Sequence, residues 1–190
     1  MLPPIFFEQS LKTTFITKLE YDGLKSHEIL YYQEFTSDFG KYIALFDKNG
    51  FVYWLSFGSD LNDELPIIKT FWQHNSIQPK STSSSMSFTG LVLKGTPFQQ
   101  LVWKELLKTS KGESLTYKKI AEAIHFPNAS QAVGNAVGSN SIAVLVPCHR
   151  AMARNRKITK FRWGKELKVK LLTYERENTH LKPNQQQLLF

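Results

Sequence analysis

The chain has 190 residues, 42% of them hydrophobic and 13% aromatic, enough for one compact domain or two small ones sharing a core. Its net charge is +8 and it has a single cysteine, so an internal disulfide is excluded, no Cys/His metal framework is present, no cofactor is expected, and a reducing cytoplasm is the expected compartment. No basic stretch leads into an apolar run at the start and no run nears the roughly 20 residues that span a bilayer, so neither a leader nor a membrane segment is expected.

In chain order, "ILYYQEF" (29–35), "KYIALFD" (41–47) and "FVYWLSFG" (51–58) read as strands, with Lys48-Asn49-Gly50 as a tight turn between the last two. "DLNDELPIIKTFWQH" (60–74) reads as a helix in which Pro66 must lie in the first turn or interrupt it. The Ser/Thr-rich "PKSTSSSMS" (79–87) reads as an exposed connection. It divides a mildly acidic part, residues 1–88 with 7 Lys/Arg and 10 Asp/Glu, from a basic one, residues 89–190 with 17 and 6. That contrast points to a polyanion partner such as nucleic acid, or else to a surface tuned for solubility.

The basic part opens with a strand, "TGLVLKG" (89–95), followed by Thr96-Pro97-Phe98-Gln99, a capping-box start. Phe98, Leu101, Val102 and Leu106 then share one face of a helix over 97–109. A second helix is expected from about 117 to 124, capped by Thr116, with Ile120 and Ile124 inward. In "ASQAVGNAVGSN" a third helix, capped by Asn128 with Gln131 as box partner, is unusually small-sided. Two short helices across a tight turn predict a helix-turn-helix. The small side chains fit either close approach to a partner or packing in the interior. A last helix begins near Gly164, with Leu167, Val169, Leu171, Leu172 and Tyr174 apolar.

The only cysteine lies in "IAVLVPCHRAMARNRK". A lone cysteine is most often a small buried hydrophobe. Here, however, His149 follows it and can take the thiol proton directly or through a water. Arg150 and the basic run beyond it favour a thiolate. Pro147 is expected to end an "IAVLV" strand, so that Cys148 emerges at its tip. Adjacent residues on an extended chain face opposite ways, so the pair needs a bend or a bridging water. Glu166, Glu175 and Glu177 are all candidates to orient the imidazole, and spacing does not choose among them. The combination points to a nucleophile presented to nucleic acid.

"VPCHR" resembles the active-site motif of the O6-alkylguanine-DNA alkyltransferases, the methylated-DNA–protein-cysteine methyltransferases. "GTPFQQLVWKELL", "LTYKKIA", "AVGNAVGSN" and "FRWGKELKVKLLTYERE" are similar to further family blocks, in order, over residues 89 to 177. The last looks most like the C-terminal part of the bacterial adaptive-response protein. The resemblance implies an α/β (α+β) fold: a small N-terminal antiparallel sheet-plus-helix domain over 1–88, and a mainly helical DNA-binding and alkyl-transfer domain over 89–190. It implies single-turnover DNA repair by a monomer. The alkyl group of O6-alkylguanine, with O4-alkylthymine as a further lesion class, would pass irreversibly to Cys148.

By the same match His149 is the water-mediated base and Glu175 its orienting carboxylate. Tyr117 assists the departing guanine, and Asn140 holds the turn before the active site. Val146, Phe161 and Arg162 line the guanine pocket. Tyr117, Lys118, Ala129, Gln131, Gly134, Arg150 and Arg154 meet double-stranded DNA from the minor groove, with the damaged nucleotide turned out of the stack.

Two departures stand out. Gln131 occupies the place where the family usually has an arginine finger; it either fills the vacated stack or serves as a capping-box partner. "MARNRKITKF" replaces a glycine-containing turn, and Phe161 stands where a tyrosine is common. Three other readings are weighed: an alkylguanine-binding protein that signals without efficient transfer, a plain helix-turn-helix regulator, and a Cys/His hydrolase.

Overall fold

The structure is a computed structural model that describes residues 28–80, 88–154, 158 and 160–178, together with the backbone of Lys12–Ile16. Most of the Ser/Thr-rich connection, residues 81–87, lies outside the described residues, as do the basic residues Arg156 and Lys157. Two compact units account for the chain.

The first unit is a six-stranded sheet with one helix. In chain order it contains β1 (Lys12–Ile16), β2 (Ile29–Ser37), β3 (Gly40–Phe46), β4 (Phe51–Phe57), helix α1 (Leu61–Phe71), β5 (Ser76–Pro79) and β6 (Gly90–Lys94). The strand order is β1-β6-β4-β3-β2-β5. Only β2, β3 and β4 are antiparallel neighbours; β6 runs parallel to β4 and β1, and β5 parallel to β2. The sheet is therefore mixed rather than antiparallel, because long connections rather than hairpins lead into β5 and β6. Since β6 completes this sheet, the division expected at 88/89 falls between Thr96 and Pro97.

Ser141–Ala143 also joins the first unit, through an isolated bridge of Ile142 to Leu55. One face of the sheet packs Leu30, Ile43, Leu45, Trp54 and Val92 against Ile68 and Trp72. Asp60 caps α1 by accepting from the Asn62 amide at 2.8 Å. Pro66 lies beyond the first turn, and the helix continues through it to Phe71.

The second unit is helical: α2 (Pro97–Leu107), β7 (Leu115–Thr116), α3 (Tyr117–Ala123), α4 (Ser130–Gly138), a 3-10 turn (Cys148–Arg150), β8 (Ala151–Met152) and α5 (Lys165–Glu177). Helix α2 buries Val102, Trp103 and Leu106, while Leu101 stays exposed, so its inner face is turned from the predicted one. Trp103 explains the turn, since its large ring is buried and its indole N–H donates to the Ala136 carbonyl at 2.9 Å. Thr116 caps α3, accepting from the Lys119 amide at 3.2 Å, and Ile120 and Ile124 are buried.

Helix α3 ends with His125 at φ 64, its amide bonded to Glu122 and the Phe126 amide to Ala121. This is the paired closure of a Schellman motif. Asn128 does not cap α4. The cap is Ala129, without a side-chain hydrogen bond, so the predicted capping box between Asn128 and Gln131 is not formed.

Candidate active site

The apolar run before Cys148 does not form the expected strand. After the Ile142 bridge the chain turns, with Val144 at φ 65, and Pro147 sits at φ −78, ψ 58. That is an inverse γ-turn, and it closes with the Cys148 amide donating to the Val146 carbonyl at 2.7 Å. Cys148 then opens a 3-10 turn, which supplies the bend that an extended Cys-His pair lacks. Asn140 is fully buried in the concavity; its amide donates to the Val146 carbonyl at 3.2 Å and to the Cys148 Sγ at 3.1 Å. One side chain thus holds both the turn and the sulfur.

Burial pushes the Cys148 thiol up to about 11, against the opposing pull of the Asn140 hydrogen bond, Lys168, its own backbone and Arg162. Arg150 is not among the groups that supply that pull, contrary to the expectation from sequence. Arg150 is turned inward. Its Nε and Nη2 form a fork on the Glu175 carboxylate at 3.0 and 2.7 Å, and its Nη1 donates to the Thr109 carbonyl.

Glu175 is the carboxylate that meets His149, with Nε2 to Oε1 at 2.8 Å, and Glu166 and Glu177 are exposed. Burial alone would raise the Glu175 pKa, but His149 and Arg150 overcome it and hold the carboxyl at about 2. Gly112 adds an amide donor at 3.3 Å. An ionised Glu175 requires the imidazole proton on Nε2. Burial keeps His149 neutral, lowering its pKa against the attraction of Glu175. The lone pair therefore sits on Nδ1, which is buried and has no hydrogen-bond partner among the described residues. The site holds a thiol and an imidazole nitrogen ready to accept a proton.

Sequence reasoning missed Lys168. It is 1% exposed, donates from Nζ to the Ala151 carbonyl at 2.7 Å and stands 5.9 Å from the centre of the Phe161 ring. The signal was a helical stripe: α5 buries Lys168, Leu171, Leu172 and Glu175, the i, i+3, i+4, i+7 set, with a charge at each end.

A pocket beside the sulfur is lined by Tyr117, Gly134, Val137, Cys148, Phe161, Arg162, Trp163 and Lys168, among others, and holds about 310 Å³ of empty space including its open mouth. Pairing of β7 with β8 sets the first residue of α3, Tyr117, close to the strand that follows the Cys-His-Arg turn. Arg162 donates to the Asn140 carbonyl at 3.3 Å. Of the residues expected to meet DNA, Lys118, Gln131 and Arg154 are exposed, Ala129 is half-buried, and Gly134 borders the pocket. A Cβ added at Gly138 would meet nothing within 4 Å, and one at Gly134 only the Tyr117 ring at 3.8 Å. Gly134 and Gly138 are thus not demanded by interior packing.

The chain is similar to known proteins. Residues 97–177 match the family described as 6-O-methylguanine DNA methyltransferase, DNA binding domain. The methylated-DNA–protein-cysteine methyltransferase of Saccharomyces cerevisiae is 49% identical over 87 residues, 46% of each chain, so the chain spans about half the length of that relative. The protein of the same name from Candida albicans is 35% identical over 170 residues, covering 77% of this chain and 96% of the relative. Among solved structures, Mycobacterium tuberculosis OGT in complex with DNA superposes with a TM-score of 0.61 at 29% identity, over 77% of this chain and 93% of that one. No helix among the described residues is long and apolar enough to cross a membrane.

Proposed function

The chain belongs to the methylated-DNA–protein-cysteine methyltransferase family, and on that premise we propose that it repairs DNA by accepting one alkyl group from O6-alkylguanine onto Cys148. The observation that carries the reading is the linked set Asn140–Cys148 and His149–Glu175–Arg150, buried beside a pocket that opens next to α4.

His149 Nδ1 takes the thiol proton through a bridging water as Nε2–H holds Glu175. The Asn140 amide and the charge of Lys168 favour the thiolate as it forms. The sulfur attacks the alkyl carbon, an S–C bond forms, the O6–C bond breaks, and its electron pair stays with guanine. The proton lost by the thiol reaches guanine by way of the Tyr117 hydroxyl. The thioether has no easy reversal, so each molecule acts once. The second unit carries both binding and transfer, acting as a monomer in the reducing cytoplasm. It meets duplex DNA from the minor groove with the damaged nucleotide turned into the pocket, because an alkyl carbon inside the stack is out of reach of a buried sulfur. Its small-sided α4 and exposed Lys118 and Arg154 support that docking, and on this reading the exposed Gln131 fills the vacated stack. Arg150 is committed to Glu175 instead of phosphate.

The test is intact and peptide mass spectrometry after mixing with duplex DNA that carries one O6-methylguanine. One added methyl on Cys148, absent from Cys148→Ala, is expected. DNA binding with Cys148 unmodified would replace transfer by lesion binding, and absence of DNA binding would overturn the reading of the basic unit.

A further inference from the structure

Helix α4 lines the pocket through Gly134, Val137 and Gly138, yet its nine residues, Ser130–Gly138, include no ionisable side chain. It therefore brings no charge to the phosphates, which it could meet only through neutral donors. What its exposed face offers instead is two primary amides, Gln131 and Asn135, one turn apart and set among Ala132, Gly134 and Gly138. Neither amide makes a side-chain hydrogen bond among the described residues. Beside Gly138 there is open space. An amide carries a donor and an acceptor together, which is what base edges require. In the minor groove every base pair shows acceptors, and only a pair containing guanine adds a donor, the N2 amino group.

The spacing also fits. Four helical residues advance about 6 Å, close to two base-pair steps at about 3.4 Å each. If Gln131 stands at the vacated position, Asn135 faces the edge of a neighbouring pair.

Resting on the reading given above, we infer that Asn135 is a specificity-determining residue: its amide oxygen accepts from the N2 amino group of a guanine within two base pairs of the lesion. The chain then prefers alkylguanine in a G·C-flanked context, although its phosphate contacts read no sequence.

Single-turnover methyl transfer on matched duplexes tests this. In one, the two pairs on each side of O6-methylguanine are G·C; in the second, inosine replaces those guanines and removes their minor-groove amino groups. Free O6-methylguanine base, which has no groove, is the control. The expected result is transfer about fivefold faster on the guanine-flanked duplex. In Asn135→Ala that ratio falls to about one, and in Gln131→Ala it persists. A wild-type ratio near one, or a ratio unchanged in Asn135→Ala, overturns the inference while leaving alkyl transfer standing. No transfer from any duplex or from the free base overturns the underlying reading, and this one with it.

Discussion

Glu175 is fully buried, and folding accommodates it as an anion because an imidazole, a guanidinium and a backbone amide converge on it. The unfolded chain takes up its proton near pH 4.5 and the folded chain only near pH 2. The stabilisation is therefore complete above pH 4.5 and is lost as pH falls towards 2, on the order of 3 kcal/mol in all. His149 adds a loss that starts as pH drops below 6.5, because burial keeps it neutral in the folded chain while the unfolded chain protonates. Urea midpoints should fall from pH 6.5 downward. In Glu175→Gln they should be lower at neutral pH and flatter below 4.5; an unchanged acid slope would remove Glu175 from this role. Lys168 permits a second test. Lys168→Met keeps the bulk and deletes the charge, so methyl transfer should slow at least tenfold, and the pH midpoint of Cys148 alkylation by iodoacetamide should rise. An unchanged midpoint would mean the ammonium only ties down Ala151. Cys148 and His149 were legible in "PCHR" because the chemistry is written in adjacent residues. Glu175 needed the family resemblance to be chosen over Glu166 and Glu177. The roles of Arg150 and Lys168 were harder to read, because their anchors are distant in sequence: Glu175 and the Thr109 carbonyl for Arg150, and the Ala151 carbonyl for Lys168, whose only trace is the buried stripe of α5.

At the scale of elements, the helices with strong periodicity and a side-chain cap were legible, α3 with Thr116 most clearly. The segment Ser141–Val146 was not. "SIAVLV" has a strand's composition, but Val144 adopts positive φ, a backbone state that a β-branched residue enters only when its surroundings impose it. Local preference predicts the opposite. The turn after α3 shows a milder form of the same conflict, with His125 in the position where glycine costs least. His125→Gly should therefore raise stability by up to about 1 kcal/mol, read as a higher urea midpoint; a drop would mean that the imidazole makes a compensating contact. Helix α4 separates folding from function. Gly138 has an ordinary helical backbone and empty space beside it, so Gly138→Ala should stabilise the helix by up to about 1 kcal/mol. The same methyl would stand between α4 and the DNA, so affinity for duplex should fall. Higher stability with unchanged affinity would place the DNA on another face.

For the whole molecule, the contrast between −3 over residues 1–88 and +11 over residues 89–190 is a statement about association rather than folding. The structure gives it a sharper form, because two cations of the second unit are engaged inside it and not offered to a polyanion. Arg150 is fixed on Glu175 and Lys168 is buried on a carbonyl. Lys118, Lys119, Arg154 and Lys160 are exposed in the same unit. Among the described residues, Lys118 has only a 3.6 Å partner, Glu122, which solvent screens. Each lysine or arginine that neutralises a phosphate releases condensed counterions and contributes about −0.9 to the slope of log affinity against log salt. Four such contacts predict a slope of about −3 to −4 for undamaged duplex, well short of what 17 basic residues would give if all were engaged. Lys118→Ala should make that slope shallower by about one, and by the same amount on damaged and undamaged DNA, since phosphates carry no lesion signal. Cys148→Ala should leave the slope where it was. Affinity measured by anisotropy over a range of salt concentrations decides it. A slope near zero would mean that the charge contrast serves solubility alone, whereas a much steeper one would bring in further exposed cations such as Lys104, Lys165 and Lys170.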